Sequence, residues 1–251
     1  MTTLLFCFAH PDDESFSGAG TAMRYAAAGA RTVLITATLG QQGKCGDPPV
    51  CTPEELPRVR EGELRQAAEI IGFDELHLLG YEDQRLADAP DDVIRRSLVE
   101  IIRRLQPQVV LTFDPGGFNA HPDHIAISRF TSDAIAAATD PRWYPEGGEP
   151  HTVERLLWTP LLAPWEAAGL ADPSVNPGTD FAIDVSPWHD RRVAALRAHR
   201  TQHQSIERYF FRAPNLPRIL ATEVWRQAWG PPLLERPGSD LLAGLSGLPA
   251  V

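Results

Sequence analysis

The chain has 251 residues, and Asp and Glu outnumber Lys and Arg by 33 to 23, which gives a formal net charge of −10. This length suffices for one α/β domain with a sizeable core. The acidic balance, without any run of basic residues, argues against binding to nucleic acid or to an anionic membrane surface and favours a small-molecule partner.

Three cysteines, Cys7, Cys45 and Cys51, provide no disulfide framework, which suits a reducing compartment. Cys45 and Cys51 could meet across a loop, or they are two unpaired thiols. The first residues have neither the basic region nor the apolar segment of a signal peptide. No apolar stretch approaches the roughly 18 residues that a membrane helix needs. We therefore expect a cytoplasmic protein.

The first predicted element is a strand buried on both faces, because residues 4–8 form a continuous apolar run that ends at a Pro-Asp-Asp turn. Residues 18–29 are small and predict a closely packed helix that ends at Gly29. The β-branched run 31–39 predicts a second buried strand. These three elements make one βαβ unit.

Residues 40–51 are rich in Gly and Pro and predict a loop at the same sheet edge, where loops commonly act as lids. A capping box at 52–55 precedes a helix that ends at Gly72. A short strand at 75–79, a helix from Pro90 with an acidic first turn and a basic last turn, and a buried strand at 109–113 follow.

This alternation of strands and helices predicts a mostly parallel sheet with right-handed crossovers, that is, a Rossmann-like three-layer α/β/α sandwich. Beyond it we predict a helix at 125–138, an irregular segment at 141–150, and strands at 155–162 and 180–185 separated by a long loop. Ser186 and Pro187 open a further helix. From Pro214 onward there is little pattern. We interpret residues 1–251 as a single domain.

Two clusters of histidine and carboxylate each follow a predicted strand. Because the carboxyl ends of parallel strands share one sheet edge, where open α/β sheets bind ligands, we expect the clusters to meet. A catalytic zinc takes three His or carboxylate ligands and leaves one position for water. The candidate side chains are His10, Asp12, Asp13, His121, Asp123 and His124.

Each cluster also has a purely structural interpretation. Asp12 and Asp13 could form only a turn and a helix cap, and Asp123 could cap a helix that begins near Ile125. Arg60 lies in line with the apolar stripe of its helix, and its stem could pack on the core while its head reaches water. The coincidence of two such clusters at one sheet edge favours the metal site.

The motifs resemble those of the PIG-L (LmbE-like) zinc-dependent de-N-acetylase family over residues 4–204, with 205–251 as a C-terminal extension. They are Ala-His-Pro-Asp-Asp-Glu at 9–14, Arg60-x-x-Glu63, Gly80-x-x-Asp83, His-Pro-Asp-His at 121–124 and His-Arg-Thr-Gln at 199–202. The resemblance implies an amidohydrolase that removes the acetyl group from an N-acetylglucosamine derivative, such as a mycothiol or bacillithiol precursor, to give acetate and a free amino sugar.

By this resemblance His10, Asp13 and His124 bind one zinc ion per chain. Asp12 is the general base that takes a proton from the attacking water. His121, oriented and charged by Asp123, stabilises the oxyanion or protonates the leaving amine.

The resemblance places Arg60 and Asp83 near the sugar hydroxyls. Asn119 is a third substrate-binding candidate by departure from the family: if a tyrosine hydroxyl helps to hold the oxyanion in relatives, this chain uses Asn119 or does without. Asn119 and Ala120 stand where many relatives carry Tyr-Gly or a similar pair. His199 and Gln202 match the C-terminal motif, but a single helical histidine is more often a core residue, so neither is counted in the site. We expect the loops 40–51 and 141–152 to shape the pocket.

Two alternatives come from other functional classes. Gly18 and Gly20 after the first strand would suit a Rossmann-type nucleotide or cofactor binder, although Met23 breaks the G-x-G-x-x-G spacing and the preceding acids would repel a pyrophosphate. The other alternative is a catalytically inactive relative that only binds metal. The sequence leaves the oligomeric state open, and a homo-oligomer is compatible with it.

Overall fold

The computed structural model describes residues 1–160 and 178–246. The strands in this part of the chain are β1 (Thr3–Phe8), β2 (Arg31–Thr38), β3 (Glu75–Tyr81), β4 (Val109–Phe113), β5 (Arg155–Thr159), β6 (Phe181–Asp184) and β7 (Thr222–Trp229). They form one sheet in the order β3–β2–β1–β4–β5–β7–β6. The first five strands pair in parallel, and β7 pairs antiparallel with both β5 and β6.

The helices are α1 (Asp13–Ser17), α2 (Ala19–Ala27), α3 (Leu56–Ile71), α4 (Asp91–Leu105), α5 (Gly117–Ala120), α6 (Pro122–Thr139), α7 (His189–Ala198), α8 (His203–Ile206) and α9 (Leu216–Ile219). Helices α2, α3 and α7 contact one another, and α4 contacts α6. Two helical layers therefore enclose the sheet, which confirms the three-layer α/β/α fold. No described helix is long and apolar enough to cross a membrane.

The centre of the sheet consists of the strands whose sequences are continuously apolar. Every residue of β1 and of β4 is buried, as expected for strands covered by helices on both faces. The outer strand β3 is only half-buried. The aromatic rings of Phe8 in β1 and Phe113 in β4 pack against each other, with centroids 5.1 Å apart.

The elements after α6 depart further from the predictions. A strand stands at Arg155–Thr159, and the rest of the predicted strand and most of the long loop lie outside the described residues. The expectation of little pattern after Pro214 is wrong, because β7 lies inside the sheet between β5 and β6. Ser186 opens a 3-10 turn at Ser186–Trp188, and the helix proper begins at His189.

The N-terminus of α2 is occupied by a carboxylate from β7. Glu223 accepts hydrogen bonds from the backbone N–H groups of Gly20 at 2.9 Å and Thr21 at 2.7 Å. Arg192 lies 2.8 Å from the same carboxylate. A dinucleotide-binding fold uses this helix terminus for its pyrophosphate. Because Glu223 occupies these N–H groups, the N-terminus of α2 cannot bind a pyrophosphate in the way that the nucleotide-binding alternative requires.

Substitution of Gly20 is expected to destabilise the fold. A Cβ at this position would lie 2.7–2.9 Å from the Val185 side chain, and overpacking of this kind costs about 1–3 kcal/mol. We expect Gly20→Ala to lower the free energy of unfolding in urea by that amount. Gly62→Ala is the matched control, because Gly62 lies in α3 with nothing within 4 Å of its Cβ position. That control is expected to raise stability by about 0.4–1 kcal/mol.

Candidate active site

The two His/Asp clusters lie where the strand order of the sheet reverses. From β1 the chain continues to β2 and β3 on one side, and from β4 it continues to β5 on the other. β1 and β4 are adjacent, with Leu4 beside Val109 and Phe6 beside Leu111. The segments after these strands therefore flank one crevice, the usual position of a ligand in an open α/β sheet.

The first cluster is fixed by a tight turn between β1 and α1. The backbone N–H groups of Ala9 and His10 donate to Oδ2 of Asp13, at 3.1 and 2.7 Å. Asp12 occupies the N-cap position of α1, but its side chain makes no capping hydrogen bond. The structural interpretation of Asp12 as a helix cap therefore does not explain the position of its carboxylate.

The second cluster begins helix α6. His121 is the N-cap, and its Nδ1 accepts a hydrogen bond from the backbone N–H of Asp123 at 3.2 Å. The alternative that Asp123 caps a helix starting near Ile125 is wrong, because the helix starts at Pro122. His124 lies within the first turn, where its ring stacks on that of Phe113 with centroids 4.0 Å apart.

Three side chains from the two clusters converge. Nδ1 of His10 lies 3.2 Å from Nε2 of His124, and the Asp13 carboxylate faces both rings, with Oδ2 at 3.5 Å from Nδ1 of His10 and Oδ1 at 3.3 Å from Nε2 of His124. Zinc bonds of about 2.0–2.1 Å in a tetrahedral site separate the ligand atoms by about 3.3–3.4 Å. A ring nitrogen of His121 also lies within 4.8 Å of one from each of the other two histidines.

The hydrogen bonds of the outer ring nitrogens leave the inner nitrogens as lone-pair donors. Nε2 of His10 faces Asp123 Oδ2 and Asp83 Oδ1, each at 3.1 Å, so this nitrogen carries a hydrogen. Nδ1 of His124 donates to the Gly117 carbonyl at 3.1 Å. The inner nitrogens, Nδ1 of His10 and Nε2 of His124, therefore face each other beside the Asp13 carboxylate. This donor set fits a metal cation whose ligands are oriented by outer hydrogen bonds.

Asp123 has a different neighbour from the one predicted. We expect from the sequence that its carboxylate orients His121, but it faces His10 and accepts from the backbone N–H groups of Gln84 at 2.6 Å and Leu86 at 3.1 Å. Asp123 therefore has the geometry of an outer carboxylate behind a metal-ligand histidine.

His121 is half-buried at the edge of the ligand group. Because its Nδ1 accepts a backbone hydrogen bond, a neutral His121 carries its hydrogen on Nε2. Burial, followed by the neighbouring His10 and His124 rings, lowers the pKa of His121. The arrangement favours a neutral hydrogen-bond donor over the cation expected from the sequence.

Arg60 lies behind Asp12. Its buried guanidinium donates to the backbone carbonyls of Pro11 and Gly40 and lies 3.4 Å from Oδ2 of Asp12. Gly40 has a φ of +63°, and a Cβ there would lie 1.9 Å from Nη1 of Arg60. The alternative that the Arg60 head reaches water is therefore wrong. Burial raises the pKa of Asp12 to about 6, against the opposing effect of Arg60.

The comparisons with known proteins agree with the geometry. A family model described as PIG-L, GlcNAc-PI de-N-acetylase, matches residues 5–135. The 1D-myo-inositol 2-acetamido-2-deoxy-alpha-D-glucopyranoside deacetylase of Streptomyces griseus subsp. griseus is 34% identical over 287 residues, covering 96% of this chain and 88% of that protein. The chain belongs to the PIG-L family. The resemblance predicted from the motifs is thereby confirmed.

Solved structures share the fold of this PIG-L protein. The conserved protein TT1542 from Thermus thermophilus has a TM-score of 0.69 and 29% identity, covering 92% of this chain and 97% of that chain. GalB, the 4-carboxy-2-hydroxymuconate hydratase from Pseudomonas putida, has a TM-score of 0.70 and 20% identity, covering 94% and 99%. The GalB likeness shows the fold alone, so function depends on the site residues.

A cavity of about 600 Å³ adjoins the side chains of His10, Asp13 and His124 in this PIG-L protein. All the predicted site residues except Asp123 line it, namely His10, Asp12, Asp13, Arg60, Asp83, Asn119, His121 and His124. Gln42 and Gly43 of loop 40–51 also line it, as expected. Residues 141–152 contribute none of the lining residues in the described part of the chain, so the expectation for that segment is wrong.

Sequence reasoning missed the contribution of residues 202–209 to the cavity wall. Gln202, Ser205, Arg208 and Tyr209 line it. The last two lie in a π-helical turn, Glu207–Phe211, a feature that is frequent at functional sites. No periodicity or motif in the sequence signals this turn.

Asp123 provides a test of the ligand geometry. Loss of an outer-shell carboxylate typically costs about 10–100-fold in metal affinity, and we expect this range for Asp123→Asn in a metal-competition titration. Asp74→Asn is the matched control, because Asp74 also accepts a backbone hydrogen bond, from Thr32, at 2.8 Å but lies at the opposite edge of the sheet. Equal metal affinity in the two variants would contradict the assignment.

Proposed function

We propose that this protein is a zinc-dependent deacetylase that hydrolyses the acetamido group of an N-acetylglucosamine joined to inositol. The observation that carries the proposal is the convergence of His10, Asp13 and His124 beside a cavity that Asp12 also lines. The two inner ring nitrogens lie 3.2 Å apart, and each lies within 3.5 Å of one oxygen of the Asp13 carboxylate. The two nitrogens and one carboxylate are a donor set typical of catalytic zinc.

The side chains around this group can divide the reaction between them. Zinc held by the three ligands would polarise the acetyl carbonyl and promote ionisation of water. Asp12 takes the proton from the water that attacks the carbonyl carbon. Nε2–H of His121 donates a hydrogen bond to the carbonyl oxygen as that oxygen becomes negative. The C–N bond then breaks, the amine nitrogen takes up the proton, and acetate and the amino sugar leave.

The three predicted substrate-binding residues differ in how free they are to contact a sugar. Arg60 donates to two backbone carbonyls, and Asp83 faces His10 and accepts from the backbone N–H of Gln42 at 2.9 Å. Asn119 accepts through Oδ1 from the His121 backbone N–H at 3.1 Å, which leaves its amide NH2 for a substrate hydroxyl. We keep all three as predicted contacts and expect Asn119 to have the least structural role.

Two observations support an inositol-linked substrate. The Streptomyces griseus relative is named as a deacetylase of such a compound, and it aligns with 96% of this chain. The cavity of about 600 Å³ is within the size range of small-molecule sites, about 300–1,000 Å³. The net charge of −10 makes an anionic sugar conjugate the weaker candidate.

The decisive experiment is a panel of N-acetyl sugars assayed by detection of the free amine, with and without a chelator. We expect the inositol glycoside to be hydrolysed with the highest kcat/KM, activity to disappear on chelation, and zinc to restore it. A higher kcat/KM for another member of the panel would correct the substrate and leave the proposed reaction unchanged. Stoichiometric zinc without hydrolysis of any member of the panel would favour the inactive metal-binding relative.

A further inference from the structure

Asp12 has a backbone conformation that a non-glycine residue rarely adopts. Its φ is +115° and its ψ is −27°. Such a conformation is strained for a residue with a side chain and persists only where the surroundings impose it. On one side, the carbonyl of the preceding Pro11 accepts a hydrogen bond from Arg60. On the other, the carbonyl of Asp12 accepts hydrogen bonds from the backbone N–H groups of Ser15 at 2.9 Å and Phe16 at 3.0 Å.

The remaining polar group of the Asp12 backbone, its N–H, is bound by Glu14. Oε2 of Glu14 accepts this hydrogen bond at 3.0 Å, and Oε1 accepts one from the Ser15 hydroxyl at 2.6 Å. Glu14 is fully buried. A carboxylate in that environment is costly unless it is paired.

The side chain that pairs with Glu14 comes from a distant part of the sequence. Nε2 of His199 donates to Oε1 of Glu14 at 2.7 Å, and His199 is also fully buried. Burial alone would lower the pKa of His199, but the Glu14 carboxylate outweighs it, so this pKa is raised. The two side chains therefore form a buried, hydrogen-bonded pair.

The segment that carries His199 is anchored independently of Glu14. The Thr201 backbone N–H and hydroxyl donate to Glu63 of α3, at 2.9 and 2.6 Å. Gln202 donates to the Lys44 carbonyl in loop 40–51 at 2.9 Å. These contacts give His199 a fixed position from which to hold Glu14.

We propose that Glu14 and His199 are a positioning pair, which holds the backbone of Asp12 so that its carboxylate faces the reacting carbonyl. Neither residue is among those described as lining the catalytic cavity, so the pair acts through Asp12 and not on the substrate. The proposal rests on the proposed function, since it requires Asp12 to be the general base. It gives the His-Arg-Thr-Gln motif at 199–202 a role that sequence analysis leaves unassigned.

The test is a double-mutant cycle between Glu14→Ala and Asp12→Asn, with kcat, KM and zinc content measured for each protein. Misplacing a catalytic group by about 1 Å can cost about 100-fold, and we expect Glu14→Ala to lower kcat about 10- to 100-fold with KM and zinc content unchanged. In the Asp12→Asn background the same substitution is expected to cost less than about twofold, because the group it positions is absent. Glu14→Gln keeps an acceptor for the Asp12 N–H but sets its NH2 against Nε2 of His199, so it should recover only part of kcat. Glu235→Ala, at an exposed acidic residue, is the control without effect.

An equal loss of kcat in both backgrounds, or a loss of zinc from Glu14→Ala, would overturn the positioning role. If Glu14→Ala does not fold, His199→Ala takes its place in the same cycle. The expected results, and the results that would overturn the positioning role, are then the same. Full activity of Asp12→Asn would instead contradict the proposed function, so the two failures are distinguishable.

Discussion

Asp12→Asn is expected to lower kcat by about 10²–10⁴-fold, the usual contribution of a general acid or base. The amide has the shape of the carboxylate but cannot take a proton from water. Arg60 retains its hydrogen bonds to the Pro11 and Gly40 carbonyls, so the fold is expected to survive the loss of charge. The measurement is kcat for the inositol glycoside, accompanied by zinc content from elemental analysis.

Zinc content separates two explanations for a loss of activity in Asp12→Asn. We expect about one zinc per chain to remain, because the proposed ligands are His10, Asp13 and His124 and not Asp12. Asp190→Asn is the control, since its side chain is fully exposed and pairs with His189. Wild-type kcat in Asp12→Asn would rule out the assigned base.

His124→Ala is expected to remove both the metal and the activity. Outer-shell partners alone are worth about 10–100-fold in metal affinity, so loss of a direct ligand should cost more than about 100-fold. Zinc content after dialysis and the rate of acetate release are the two measurements. His151→Ala is the control, because that ring bonds the Pro107 carbonyl at the opposite edge of the sheet. Stoichiometric zinc in His124→Ala would show that His124 is not a metal ligand and that the metal binds elsewhere.

Much of the fold could be predicted because the central strands follow simple rules. β1 and β4 are apolar throughout and buried throughout, and their predicted bounds agree with the observed ones within one residue. β7 could not be predicted, because Glu223 and Arg226 interrupt its apolar residues. Glu223 is tolerated in the sheet only because α2 and Arg192 bind its carboxylate. Such compensation between distant residues leaves no local signal.

The site shows the same division between local pattern and tertiary contact. The meeting of His10 with His124 follows from two strands ending at one sheet edge, and the sequence predicts it. The pairing of Asp123 with His10, and of Glu14 with His199, requires knowledge of where each side chain points. The sequence pairs the neighbours His121 and Asp123, whereas the structure places the Asp123 carboxylate against His10.

The position of β7 also constrains how the molecule is made. This strand follows β6 in the chain yet inserts between β5 and β6. During synthesis the sheet therefore stays open until residue 229 has left the ribosome, with β5 exposing an edge that can pair with other chains. Truncation before residue 222, even though it would keep every proposed metal ligand, is thus expected to yield an aggregating polypeptide.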